Sequence, residues 1–256
     1  MKNIMSKPLF FIHIPKTAGS TIKTAFDDII NKNKNIKYYK GKVPGLVDQF
    51  SLNYFNNINL SQNLNILTGH FVFSESCKNF ELFSMVRDTV DLFISNLYFW
   101  YNEKYLRFNW NSENIETIKK IINLNLDLSD NDLNVIPKIL ENNFVNSNII
   151  TKTFAGVPFE KYFFVAEDYK LMEEDYLKAI DNLKYFSYIG NTNNVENFLK
   201  IFLNYVPVNS FDYKSVQIFK KEKNLVENIK KSLSNKIKEY NYYDTKILEV
   251  IKDRFN

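Results

Sequence analysis

Short apolar runs alternate with helical patterns along most of this chain, and that alternation constrains the fold more than any single motif does. Leu9 to Ile14 is an apolar run ended by Pro15, after which Ile22, Phe26, Ile29 and Ile30 recur at helical spacing. Such a run reads as a buried strand feeding an amphipathic helix. Lys37 to Lys40, Asn65 to Thr68, Leu82 to Val86 and Tyr162 to Val165 are further short runs rich in aromatic and branched residues, with helical patterns between them. Strands joined through helices pair in parallel, with the helices covering both faces. The expected class is α/β, a three-layer αβα sandwich around a central, mostly parallel sheet.

From Val90 onward, Phe93, Ile94, Leu97, Tyr98 and Tyr101 form one apolar stripe, and Asp88 stands where it can cap that helix. The strand Leu82 to Val86 thereby delivers Arg87 to the sheet edge at a helix start. Between Asn102 and Asn148 the chain shows helical patterns, Glu113 to Leu124 among them, and no convincing strand. This segment is expected to be a helical insertion over the sheet edge, a natural lid for an acceptor. Leu171 to Leu183 is again amphipathic. The tail from Leu225 to Phe255 reads as one or two charged helices, with Ile229, Leu233, Ile237 and Tyr240 on one face. No Pro/Gly/Ser-rich linker divides the 256 residues, so one domain spanning 1–256 is expected.

Hydrophobic residues make up 45% of the chain, ample for a core. The formal charge of +4 suits a polyanionic ligand, but Lys and Arg are dispersed and offset by Glu and Asp, so nucleic acid is not an expected partner. A lone cysteine, Cys77, excludes an intramolecular disulfide framework and fits a reducing compartment. The N-terminal apolar segment is interrupted by His13 and Pro15 and lacks a small-residue cleavage site, so it reads as a strand and not a signal peptide. No segment approaches the roughly 20 apolar residues needed to span a bilayer. A soluble, cytoplasmic protein is expected.

The junction Phe10 to Ile22 reads FFIHIPKTAGSTI. Amide groups at a helix start are unpaired and lie at the positive end of the helix dipole, so a strand–loop–helix junction can hold an anion. Lys16 adds a full charge, Thr17, Ser20 and Thr21 add hydroxyls, and Gly19 lets the backbone approach closely. The plainer alternative is a capped helix with an incidental lysine. The loop is not a Walker A motif, which places its lysine after the glycine-rich turn, and it has no GxGxxG pattern.

FIHIPKTAGSTI resembles the loop of the sulfotransferases that use 3′-phosphoadenosine 5′-phosphosulfate (PAPS), in particular the carbohydrate branch with the heparan sulfate 2-O-sulfotransferases and their bacterial relatives. LTGHFVF, Leu67 to Phe73, is similar to that family's GHF-type segment, and SMVRDTVDLFISNLY, Ser84 to Tyr98, to its RDPVxRxxSxY segment. NIITKTFAG, FFVAEDYKLMEEDYLKAI and NYYDTKILEVIKDRF resemble three weaker family stretches, of the forms N-x-x-T-+-x-x-x-G, FVGxxE and D-x-x-LY. Thr89 stands where the family has proline, and Leu92 where an arginine is common. The acceptor region, Asn102 to Asn148, matches nothing in the family.

The resemblance implies a P-loop-NTPase-like fold and a PAPS-dependent sulfotransferase acting on a hydroxyl of a saccharide or glycoconjugate. It implies that Lys16, Thr17, Ala18, Gly19, Ser20 and Thr21 hold the 5′-phosphosulfate and that Arg87 and Ser95 grip the 3′-phosphate. Lys16 would also serve catalysis, with His70 as the base; no metal is required. Glu75 is the fallback base. His13, inside the strand, reads as a hydrogen-bonded core residue, and Arg87 has a structural alternative in a salt bridge with Asp88 or Glu81. Trp100, Tyr101, Tyr105 and Trp110 could stack on sugar rings or simply pack. Two other functions stay open on sequence: a magnesium-dependent kinase using ATP, and a silent nucleotide- or glycan-binding module of the same fold.

Overall fold

The computed structural model describes residues 7–40, 65–101, 147–158, 169–208, 210, 212–213 and 223–255. The expected strand Tyr162 to Val165, Tyr105, Trp110 and all but the last two residues of the expected insertion lie outside them, as do the side chains of Trp100 and Tyr101.

Five strands form one sheet in the order β2-β3-β1-β4-β5: β1 Leu9–Ile12, β2 Lys37–Lys40, β3 Asn65–Gly69, β4 Glu81–Val86 and β5 Phe186–Asn191. Every pairing is parallel. The helices are α1 Gly19–Lys32, α2 Thr89–Tyr101, α3 Ile149–Ala155, α4 Glu173–Asn182, α5 Val195–Phe202, α6 Lys223–Tyr240 and α7 Tyr242–Phe255. Among the described residues, no helix is long and apolar enough to cross a membrane.

Strand side chains alternate between faces, and the core divides accordingly. Leu9 and Phe11 of β1, Ile66 of β3 and Phe83 and Met85 of β4 pack with Ile22, Ala25, Phe26 and Ile29 of α1 and Phe198, Leu199 and Phe202 of α5. The α1 residues recur at the helical period, which is why that helix has one buried stripe. Phe10 and Ile12, Leu67, and Leu82 and Val86 face the other way, onto Ile149, Ile150 and Phe154 of α3, Ala179 of α4 and Ile247 and Ile251 of α7. The strands are buried on both faces, so they read as nearly continuous apolar runs. Ser84, the buried polar residue of β4, donates its hydroxyl to the Ile12 carbonyl at 2.8 Å.

The two weak motifs NIITKTFAG and NYYDTKILEVIKDRF meet in this second layer. Asp244, at the start of α7, is 1% exposed and accepts from the Ile150 amide at 3.1 Å, the Thr151 amide at 2.7 Å and the Thr151 hydroxyl at 2.8 Å. In return, the Asp244 amide donates to the Asn148 side chain at 3.0 Å, and the Asn148 amide to the Asn241 side chain at 2.9 Å. One carboxylate thus satisfies the open amides at the start of α3 from a distant part of the chain.

Gly156 ends α3 in the left-handed region, φ 75°, and a Cβ there would lie 2.4 Å from the Phe73 carbonyl oxygen. Backbone cannot yield as a side-chain tip can. Gly156→Ala is therefore expected to destabilise the fold by at least about 2 kcal/mol, read as a lower urea midpoint with unchanged slope.

Candidate functional site

In an all-parallel sheet the strands all end at one edge, so the residues that follow them gather there. The chain leaves β1 toward β3 and β2 on one side and later fills β4 and β5 on the other, which makes the end of β1 the switch point where open α/β sheets bind ligands. His13 to Ala18 follow β1, His70 follows β3 and Arg87 follows β4.

The lysine loop is strained. Lys16 has φ 67° and Ala18 φ 63°, a region that costs a residue with a Cβ roughly 1–2 kcal/mol. Non-glycine residues held there cluster at ligand sites. Thr17, fully buried between them, donates its hydroxyl to the Ile14 carbonyl at 2.7 Å and its amide to the same oxygen at 3.3 Å. Its hydroxyl proton braces the loop from behind, so what Thr17 offers an anion is loop shape. Thr21 is buried too.

Among the described residues no side chain caps α1, and its first turn holds no acid. Thr21 and Ile22 donate to the Ala18 carbonyl, so the Gly19 and Ser20 amides precede the first intrahelical bonds. Left-handed residues beside such a helix start turn successive N–H groups toward a common point, the geometry of an anion-binding nest.

Gly19 has no positive φ; its need for glycine comes from a neighbour. A Cβ there would lie 1.8 Å from Nε2 of His13. Gly19→Ala must push the imidazole aside, at about 1–3 kcal/mol for overpacking, and should shift the ring resonances of both histidines. Unchanged ring signals in a folded variant would contradict this packing.

His13 extends the β1–β3 ladder by donating its amide to the Gly69 carbonyl at 2.9 Å. That register sets His70 beside it. His70 Nδ1 lies 2.8 Å from the His13 carbonyl oxygen, and the two rings stack with centroids 4.2 Å apart at 27°. A carbonyl can only accept, so Nδ1 carries the hydrogen and the neutral His70 ring holds its lone pair on Nε2. Burial holds the His70 pKa below its ordinary value, partly opposed by the bond to the His13 carbonyl. His13 is pushed down much further, by burial first, then by His70 and Lys16. Both rings are neutral at pH 7. His13 is thus no isolated core histidine but half of a stacked pair at the sheet edge.

Arg87 donates from Nη1 to the Lys16 carbonyl at 3.3 Å, and its buried Nε has no hydrogen-bond partner among the described residues. The salt bridges that could explain it structurally do not form among the described residues. Asp88 Oδ1 is turned to the Val90 and Asp91 amides at 2.9 and 3.1 Å, capping α2, and Glu81 accepts from the Ser187 hydroxyl. Burial pulls the Arg87 pKa down, opposed by Asp91 and Asp88. A buried charged donor without a partner costs free energy unless a ligand supplies one.

The Lys16 ammonium sits 4.4 Å from the centroid of the Phe99 ring on α2. Ser95 is buried in α2, about 9 Å along the helix axis from Thr89, and no hydrogen bond joins it to Arg87. Glu75, 83% exposed, pairs with Lys78 at 2.5 Å and faces solvent. The edge therefore brings together Lys16, Gly19, Ser20, His70 and Arg87; Ser95 lies one helical turn before Phe99, whose ring the Lys16 ammonium covers, and Glu75 points to solvent.

Beyond Arg87, a cavity of about 430 Å³ opens at the ends of β4 and β5. Asp88, Thr89, Asn191, Asn193, Lys238 and Lys252 are among its lining residues, and the lysine loop is not. Among the described residues, His, Cys, Asp and Glu nowhere form a group of three or more that could hold a metal ion. The chain matches no protein-family model, and no curated protein matches it.

Proposed function

We propose that the chain is a sulfotransferase on a P-loop-NTPase-like fold, moving the sulfuryl group of PAPS to a hydroxyl of a carbohydrate or glycoconjugate. The observation that carries the reading is the meeting, at one switch point, of a left-handed lysine loop at a helix start and the half-buried Arg87 guanidinium, whose buried Nε has no hydrogen-bond partner among the described residues. Two anionic groups on one ligand would satisfy both. The 430 Å³ cavity next to Asp88 is of a size for the nucleoside end of such a ligand.

The bound phosphosulfate supplies the sulfuryl group and a phosphate leaving group. Lys16 and the Gly19 and Ser20 amides hold its oxygens and stabilise the charge that builds on the leaving phosphate. Arg87 anchors the second phosphate. Neutral His70 takes the acceptor's proton on Nε2 as the new O–S bond forms and the S–O bond to phosphate breaks.

Transfer of labelled sulfur from PAPS to a panel of saccharides tests this. His70→Ala is expected to lower the rate by about 10²–10⁴, and Lys16→Ala to abolish it, with Glu75→Gln near wild type. Transfer from ATP with magnesium and none from PAPS would favour a kinase instead.

A further inference from the structure

We infer that His13 is a positioning residue: its imidazole, wedged between Gly19 and the His70 ring, holds the proposed base and the first turn of α1 in one fixed arrangement. The inference rests on the reading of His70 as the base.

Three contacts converge on this side chain. On one side the ring lies where a Cβ of Gly19 would be, 1.8 Å from Nε2, so it sets how closely the helix start approaches the strand. On another it stacks on His70 at 4.2 Å. Phe11, next but one along β1, stacks at 6.0 Å and 24°, which limits how the ring can tilt. The His13 carbonyl selects the Nδ1–H form of His70, but a hydrogen bond at 2.8 Å tolerates ring rotation. The stacked face of His13 is what fixes the ring plane, and with it the direction of the Nε2 lone pair. Because the same imidazole abuts Gly19, the base and the anion loop share one spacer. A burial that keeps His13 neutral next to Lys16 also keeps it from adding a charge that would compete for the bound anion.

The chain has two histidines, so nitrogen NMR of the ring atoms resolves both without ambiguity. In the wild type, His70 is expected as the Nδ1–H tautomer. His13→Ala keeps the carbonyl, and with it the Nδ1–H form, but removes the stack, and should leave the His70 ring mobile, read as lowered order parameters of its C–H vectors; His13→Phe, which keeps a flat ring, should restore a rigid ring. A merely structural role would lower stability and leave the His70 ring as rigid as in the wild type. Should His13→Ala not fold, His13→Gln provides the same reading. A His70 ring as rigid as in the wild type, in a folded variant without the stacking ring, overturns the inference. The measurement needs no nucleotide, so it decides the role of His13 even if adenosine 3′,5′-bisphosphate fails to bind, which would instead count against the sulfotransferase reading.

Discussion

Asp244→Ala is expected to lower the stability of the fold by about 3–5 kcal/mol, enough to leave many domains largely unfolded at 37 °C. The carboxylate is the acceptor for the Ile150 and Thr151 amides and the Thr151 hydroxyl, and its removal orphans all three in a place water does not reach. The same burial makes the group pH-sensitive. Its pKa is pushed up to about 6, by burial first, with the Thr151 and Ile150 donors and Lys152 opposing. Between the ordinary carboxylate value and about 6, the folded chain holds a proton that the unfolded chain has released. This group's contribution is therefore full at the acid end of that window and falls as pH rises through about 6, by about 3 kcal/mol. Urea midpoints measured across pH 4–7 should show that slope in the wild type, and Asp244→Asn should flatten it.

The second large effect falls on binding. Arg87→Ala is expected to weaken adenosine 3′,5′-bisphosphate binding at least about tenfold, the loss of a charged hydrogen bond being worth roughly 1.5–3 kcal/mol. Arg87→Lys should not restore it, since an ammonium cannot reproduce the planar fork or reach with the same pair of donors. Stability should move little, because among the described residues Arg87 makes no salt bridge and its Nε has no partner, so that the 3.3 Å bond from Nη1 to the Lys16 carbonyl is the one hydrogen bond lost. An effect on affinity with none on folding separates a binding arginine from a structural one.

Much of this architecture is legible in the sequence for simple reasons. β1, β2, β3 and β4 fall on runs whose aromatic and branched residues cannot satisfy a helical period, and Asp88 sits where α2 needs its cap. β5 is not legible. Its sequence, FSYIGN, mixes Ser, Gly and Asn into a short run after an amphipathic helix, and it is a strand because β4 offers a partner and Phe198 packs close over Gly190. Tertiary pairing overrides propensity there. α5 hides for a related reason, being short and capped by an asparagine in a stretch crowded with asparagines.

The site divides along the same line. A strand that ends in a loop and a helix announces Lys16 and Arg87, because sequence order alone puts both at the sheet edge. The pairing of His13 with His70 depends on β1 meeting β3 with Ile12 opposite Gly69, a register that no local pattern encodes. Likewise, Gly19 signals closeness without saying to what. The turning of the Thr17 hydroxyl toward Ile14 follows from backbone strain at Lys16 and Ala18, which residue types do not reveal. The two faint motifs around Thr151 and Asp244 become intelligible only in contact, as the two halves of one helix cap.

The central claim is that the strained loop and Arg87 hold one ligand with two separated anionic groups. Calorimetric titration with adenosine 3′,5′-bisphosphate, set against AMP, ADP and ATP without and with magnesium, tests it most directly. The account predicts clear preference for the bisphosphate, independent of magnesium and weakened at least about tenfold in Arg87→Ala. Preference for ATP with magnesium, or no binding of any of these nucleotides, would contradict it.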